Sequence, residues 1–161
     1  MINHIRDYFA TCPLLSTNRA LNVDFLSKDI TEYSIETEPH TLIVETYIDG
    51  SSIRKCNFIF ASREFYNQDS MQNLENIQFY DNLISWIENN NLKGILPTLD
   101  EGQTALEISV NTAGYLLDEN LKTARYQIQC SLEYQQERIW FYGNNEISNC
   151  GLYIWNNRRS I

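Results

Sequence analysis

Residues 70–89 carry helical periodicity over five turns. Their apolar positions are Met71, Leu74, Ile77, Phe79, Tyr80, Leu83, Ile84, Trp86 and Ile87. At about 100° per residue, the set from Leu74 to Ile87 sweeps well over half of the helix circumference. Gln78, Asn82, Ser85 and Asn89 share the remaining arc. A helix facing one sheet needs a stripe only somewhat wider than about 100°. The pattern therefore predicts a long amphipathic helix whose excess apolar surface is covered by a second element or by another subunit. Asp69 or Ser70 is positioned to cap its start. Asn89, Asn90, Asn91 and Gly94 are expected to end it, with Pro97 at the exit.

Around this helix the pattern predicts strands. Residues 33–38 (YSIETE) alternate and stop at Pro39, which reads as an edge strand. Residues 41–48 are rich in β-branched and aromatic side chains, and Asp49-Gly50 supplies a hairpin turn. The returning strand covers residues 53–61. Leu42, Val44, Thr46 and Ile48 mark one face going out; Cys56, Phe58 and Phe60 mark one face coming back. A second hairpin is expected over residues 104–134. Its return strand alternates Ala124, Tyr126, Ile128, Cys130, Leu132 and Tyr134 with Arg125, Gln127, Gln129, Ser131 and Glu133, a period of two that predicts one buried and one polar face. Leu106, Ile108 and Val110 match it on the outgoing strand. Residues 116–121, with Asp118, Glu119 and Asn120, form the expected tip. Residues 2–10 read as a short helix with Ile2, Ile5, Tyr8 and Phe9 on one side, stopped before Pro13. Residues 16–32 mix a strand-like alternation (Leu21, Val23, Phe25) with loop residues and stay ambiguous. The two hairpins and the N-terminal helix are expected to cover the long helix, so that helix holds the fold, while the hairpin tips and the C-terminal aromatics hold the assembly.

The expectation is an α+β fold: an antiparallel sheet of two main hairpins, with the long amphipathic helix packed on one face and a short N-terminal helix. Residues 1–136 form the single domain. Residues 137–161 differ in composition. Two aromatic runs, 139–142 and 152–155, flank a polar turn, and Arg158 and Arg159 follow. This segment reads either as an added edge hairpin or as an arm that docks on a neighbour, since aromatics and arginine are enriched among interface anchors.

The chain has 161 residues, 43% of them hydrophobic and 20% charged, enough for one domain with a core. A net charge of −9 does not provide the basic surface that nonspecific nucleic-acid binding draws on, and it disfavours an anionic membrane. No signal peptide or membrane span is read. Cys12, Cys56, Cys130 and Cys150 contain no CxxC spacing, and reduced thiols in an intracellular protein are expected.

Candidate chemistry is sparse. His4 and His40 have no histidine or cysteine at metal-ligand spacing, and both read as surface or capping residues. No nucleophile elbow, zinc-protease or P-loop motif is present. Glu32, Glu36, Glu38 and Glu45 could pair for general acid-base work. However, Glu36 and Glu38 fall on the strand face opposite Tyr33, Ile35 and Thr37, where solvated charges belong. Ten tyrosines and three tryptophans could stack on sugars or bases, but most fall in phase with core positions. No catalytic, cofactor-binding or metal-binding residue is expected, and no cofactor.

Several segments in order carry a resemblance. They are an N-terminal helix with Cys12-Pro13-Leu14-Leu15, YSIETEP (33–39), YIDGSSIRKCNFIF (47–60), a helix with Phe79-Tyr80 and Ser85-Trp86-Ile87, LPTL (96–99), and ARYQIQCSLEY (124–134). Over residues 1–136 the chain resembles the tail-terminator or tail-completion proteins, often labelled minor capsid proteins, of long-tailed phages and prophages of Gram-positive bacteria. The resemblance implies a structural, non-enzymatic virion protein assembled in the host cytoplasm. Its partners would be further copies of itself in a ring, commonly a hexamer, the tail-tube protein, and a neck or head-completion protein. It implies that DNA passes through the lumen without sequence-specific binding. It carries over no active-site residue. A neck or head-completion protein is the nearest alternative; a small-ligand-binding or hydrolytic domain built on the acidic strand is the alternative of another class. The candidate contacts are Asp49 and Gly50, then Asp118, Glu119 and Asn120, and in the C-terminal segment Trp140, Tyr142, Tyr153, Trp155, Arg158 and Arg159.

Overall fold

The structure is a computed structural model that describes residues 1–26, 32–39, 41–65, 70–119, 123–138, 141–142 and 146–147. In chain order the elements are α1 (Ile2–Phe9), β1 (Ala20–Val23), β2 (Glu32–Thr37), β3 (Ile43–Thr46), β4 (Ser52–Phe65), α2 (Ser70–Lys93), β5 (Gln103–Val110), β6 (Tyr115–Glu119), β7 (Thr123–Gln136), β8 (Phe141–Tyr142) and β9 (Glu146–Ile147). Strands β1 to β7 form one mixed sheet in the order β1-β2-β4-β7-β5, with β3 also on β4 and β6 also on β7.

The expected antiparallel sheet of two hairpins is overturned by this topology. The spine is β4 against β7, antiparallel over fourteen residue pairs from Ser52↔Gln136 to Phe65↔Thr123. These strands are far apart in sequence, so the central pairing of the sheet is not that of a hairpin. Short strands line both sides of the spine: β2 and β3 share β4, while β5 and β6 share β7. β1 lies parallel to β2, in register Ala20↔Glu32 to Val23↔Ile35, which makes the sheet mixed. Strand β2 is therefore not an edge. Asp24 turns the chain out of β1 with φ of 49°. Its Oδ1 accepts from the Thr37 backbone N–H at 2.6 Å and the Thr37 hydroxyl at 3.0 Å. A short Asx residue tolerates this left-handed geometry and satisfies the end of the parallel pair.

Both helices bury their apolar sides on one sheet face. From α1, Ile5 and Phe9 are fully buried, and the Phe9 ring meets Phe58, Phe60 and Trp86. From α2, the buried line is Asn76, Tyr80, Leu83, Ile87 and Asn90, spaced near three to four residues as one helical face requires. Tyr80 is wholly buried, with its ring among Phe60, Phe79 and Tyr126. The broad apolar arc read from sequence overstates the buried face. Leu74 is 61% exposed and Ile77 45% exposed, while two asparagines occupy the ends of the buried line.

The asparagine run does not stop α2. Asn89 Nδ2 donates to the Ser85 carbonyl, Asn90 Nδ2 to the Tyr8 hydroxyl, and Asn91 Nδ2 to the Ile108 carbonyl. The amides of Asn90 and Asn91 are engaged by partners outside the helix, while Asn89 bonds back to a carbonyl of α2 itself. The helix ends instead at Gly94, with φ of 67°. There the Gly94 N–H reaches the Asn91 carbonyl and the Ile95 N–H reaches the Asn90 carbonyl, a left-handed C-terminal turn suited to glycine.

Ahead of β1, the loop is held to β4 by Arg19, whose Nη1 lies 2.6 and 2.8 Å from the two carboxylate oxygens of Glu64. The same guanidinium stands 5.3 Å from the centre of the Tyr33 ring, so charge pairing and a cation–π contact act on one side chain.

Candidate functional site

The most unusual surface is the β3–β4 hairpin. All four residues of β3 are exposed, so neither face of this strand meets a core. Leu42, Ile43, Val44, Tyr47 and Ile48 all present apolar surface to solvent, and Ile48 is fully exposed. The sequence makes a strand here because Ile43, Val44 and Thr46 are β-branched. In the sheet β3 pairs with the start of β4, at Ser52, Ile53 and Arg54. The expected inward face of Leu42, Val44, Thr46 and Ile48 is thus exposed rather than part of the core.

The tip of this hairpin is locally organised. The Tyr47 N–H reaches the Ser51 carbonyl at 2.9 Å, and the Gly50 N–H reaches the Tyr47 carbonyl at 3.0 Å. Gly50 has φ of 87°. Asp49 Oδ1 accepts from the Ser51 hydroxyl at 2.6 Å and the Ser51 N–H at 2.9 Å. These bonds, with help from the nearby Arg138 charge, hold the Asp49 carboxyl below its ordinary range. Arg138 Nη1 donates to the Asp49 carbonyl at 3.3 Å. Of the residues expected at this contact, Asp49 and Gly50 therefore shape the turn, and the apolar side chains beside them form the surface.

A concave surface lies at the other edge of the sheet. A groove of about 540 Å³ runs between the end of α2 and β5, lined by Glu88, Asn91, Leu92, Leu106 and Glu107. Asn91 bridges its two walls. It donates to the Ile108 carbonyl at 2.8 Å and accepts the Ile108 N–H at 3.2 Å, so its amide occupies the hydrogen-bonding edge that β5 would otherwise leave open. Leu92 is 86% exposed and Leu106 42% exposed.

One device places aliphatic side chains outward at three sites. The ladder slips by one residue at Val44 in β3, at Leu106 in β5 and at Leu117 in β6. Each is the extra residue of a bulge, and each is exposed. A bulge breaks the period of two and re-aims one side chain. This is why sequence alternation assigned Leu106 to the buried set with Ile108 and missed the groove altogether.

The sheet face opposite the helices carries the acidic strand. Glu36 accepts from Arg125 Nη2 at 2.8 Å, and Glu38 from Gln129 Nε2 at 3.1 Å. Arg125 also donates to Gln127 Oε1, and Gln127 in turn to the Tyr115 hydroxyl. Glu32 accepts from Asn22. These carboxylates are engaged with basic and amide neighbours rather than paired with one another for acid-base work. Three polar side chains of this face, Ser34, Gln127 and Ser131, are buried. Among the described residues, no group of three or more His, Cys, Asp or Glu is placed to hold a metal ion. His4 Nε2 lies 3.1 Å from Asp100 Oδ1; His40 lies outside the described residues.

Asp118 and Glu119 are strand residues, not a tip. They pair in β6 opposite Arg125 and Ala124, because the outgoing half of the expected hairpin is divided into β5 and β6. Asn120 lies outside the described residues. In the C-terminal segment, β8 and β9 pair Phe141↔Ile147 and Tyr142↔Glu146 in a small separate sheet. Trp140, Tyr153, Trp155, Arg158 and Arg159 lie outside the described residues, and with them the choice between edge hairpin and docking arm. Burial pushes up the thiols of Cys12, Cys56 and Cys130; all three are free thiols among core side chains. Among the described residues, no helix is long and apolar enough to cross a membrane. No family model matches the chain, and no curated protein matches it.

Proposed function

We propose that this chain is a structural subunit of a long-tailed phage particle: a tail terminator that closes into a ring on the last turn of the tail tube, stops its polymerisation and presents a surface to the head. The observation that carries this reading is the exposed β3–β4 hairpin. Five large apolar side chains in seven residues stand in solvent on a firmly turned hairpin, and an apolar patch of that kind marks a protein contact. The acidic strand supports a structural role, because Glu36 and Glu38 are occupied by Arg125 and Gln129. The net charge of −9 suits a ring through which DNA slides, since an acidic wall does not hold phosphates. A neck or head-completion ring shares these features and differs in where it sits.

The test adds the purified full chain to polymerising tail-tube protein of the same phage and images the products by cryo-electron microscopy. Tubes should stop growing and carry an extra ring of density at one end. Tubes that elongate equally with and without excess chain refute termination; a ring found only at the head vertex assigns the chain to the neck.

A further inference from the structure

We propose that copies of this chain associate head to tail, the β3–β4 hairpin of one copy lying in the groove between α2 and β5 of the next. The proposal deepens the ring reading and rests on it only for closure; the contact itself is argued from the two surfaces.

Two observations favour a second copy as the occupant. First, the surfaces differ in shape and lie on opposite sides of the β4–β7 spine. The hairpin projects from the β4 side, and the groove opens on the β5 side. A convex patch on one edge and a concave one on the other cannot satisfy each other within one copy or by a two-fold contact. They generate a chain of copies that closes if the rotation allows. Second, the area fits a ring. The five apolar side chains of the hairpin would bury on the order of 500 Å², under the roughly 800 Å² per partner of a standard interface. Such a contact is weak for an isolated pair and gains from closure.

Within the hairpin, Ile48 is fully exposed in the free subunit, so it can be changed without unfolding the chain. The hairpin variant is Ile48→Glu and the groove variant is Leu92→Glu, both in the full chain. Both should keep the parent melting temperature. Light scattering and sedimentation from micromolar to millimolar concentration should show the parent as a closed oligomer and each variant as a monomer. The decisive sample is the equimolar mixture of the two variants. The groove of the hairpin variant and the hairpin of the groove variant are both intact, so one junction forms and assembly stops at a dimer.

A mixture that stays monomeric, a groove variant that assembles like the parent, or a parent that is monomeric at millimolar concentration each overturns the proposal. Tube capping is scored separately. Capping by the monomeric Ile48→Glu variant would leave the terminator reading standing without this contact. Head-to-tail dimers from the mixture, with no capping by the parent, would leave the contact standing without that reading.

Discussion

Replacing Tyr80 by phenylalanine removes one oxygen atom from the centre of the protein. The ring contacts with Phe60, Phe79 and Tyr126 can remain. What is lost is the hydroxyl, which donates to the Tyr126 carbonyl at 2.9 Å and shares a 2.8 Å bond with the Ser62 hydroxyl. The side chain is wholly buried, so water cannot replace either bond. Each neutral hydrogen bond is worth about 1 kcal/mol net, and an orphaned buried partner costs about 1–3 kcal/mol. The expected loss is therefore about 2 kcal/mol. For a chain of this size that lowers the melting temperature by roughly 4–8 °C and the urea midpoint by about 1 M with unchanged slope. Urea unfolding followed by circular dichroism measures it. Ser62→Ala supplies the internal control: combined with Tyr80→Phe, it should cost clearly less than the two single losses together, because both remove the same bond. A loss below about 0.5 kcal/mol, or strictly additive single and double variants, would refute the assignment of Tyr80 as the polar tie between α2 and the spine.

Gly114→Ala should destabilise by about 1–3 kcal/mol, because the new methyl would stand 2.5 Å from Tyr80 Cβ and 2.8 Å from its Cγ; thermal unfolding reports it, and a neutral effect would show that the loop moves freely off Tyr80. Asn91→Ala removes both bonds to the Ile108 backbone and should cost about 1–2 kcal/mol, with faster amide exchange at Ile108 and unchanged exchange in β4. Alkaline stability should fall. Burial raises Tyr8, Tyr33, Tyr80 and Tyr134 above an ordinary value of 10.0, and Cys12, Cys56 and Cys130 above 9.0. The unfolded chain then releases these protons first, so stability is full below pH 9 and declines as pH rises through 10. An unfolding free energy that is flat from pH 8 to 11 would contradict this.

The parts of the fold that were legible in the sequence are those governed by a single local period. The unbroken alternation from Ala124 to Tyr134 marks β7, and Ile5, Tyr8 and Phe9 mark the buried side of α1. Where a second interaction overrides the local rule, the sequence misleads. The side chains of Asn89, Asn90 and Asn91 read as a stop, yet the helix continues through them, and Asn90 and Asn91 act as fasteners to partners 82 and 17 residues away. Residues 20–23 carry a weak strand pattern, and nothing local announces that they pair in parallel with β2. The bulges at Val44, Leu106 and Leu117 reverse the facing of one aliphatic residue each, which period-two reasoning cannot register. At the candidate contact, the Asp49-Gly50 turn was visible as a turn. The exposure of its apolar neighbours is a tertiary property, and the groove exists only once α2 and β5 are side by side.

The β4–β7 spine also sets a timetable for synthesis. Its two halves are separated by all of α2, β5 and β6, so no part of the ladder can close until residue 123 has left the ribosome and the full ladder needs residue 136. Closing so large a loop before its contacts repay it makes this a slow folding step. The β3–β4 hairpin needs only neighbouring residues and is complete in sequence some seventy residues earlier. At elongation rates of about 5–20 residues per second, a nascent chain therefore presents its apolar hairpin for several seconds before the groove that we assign as its receptor can exist in the same copy. Two nascent chains that both lack residue 123 therefore cannot join through this contact, because neither yet has the groove, whereas a finished copy can receive the hairpin of a chain still being made.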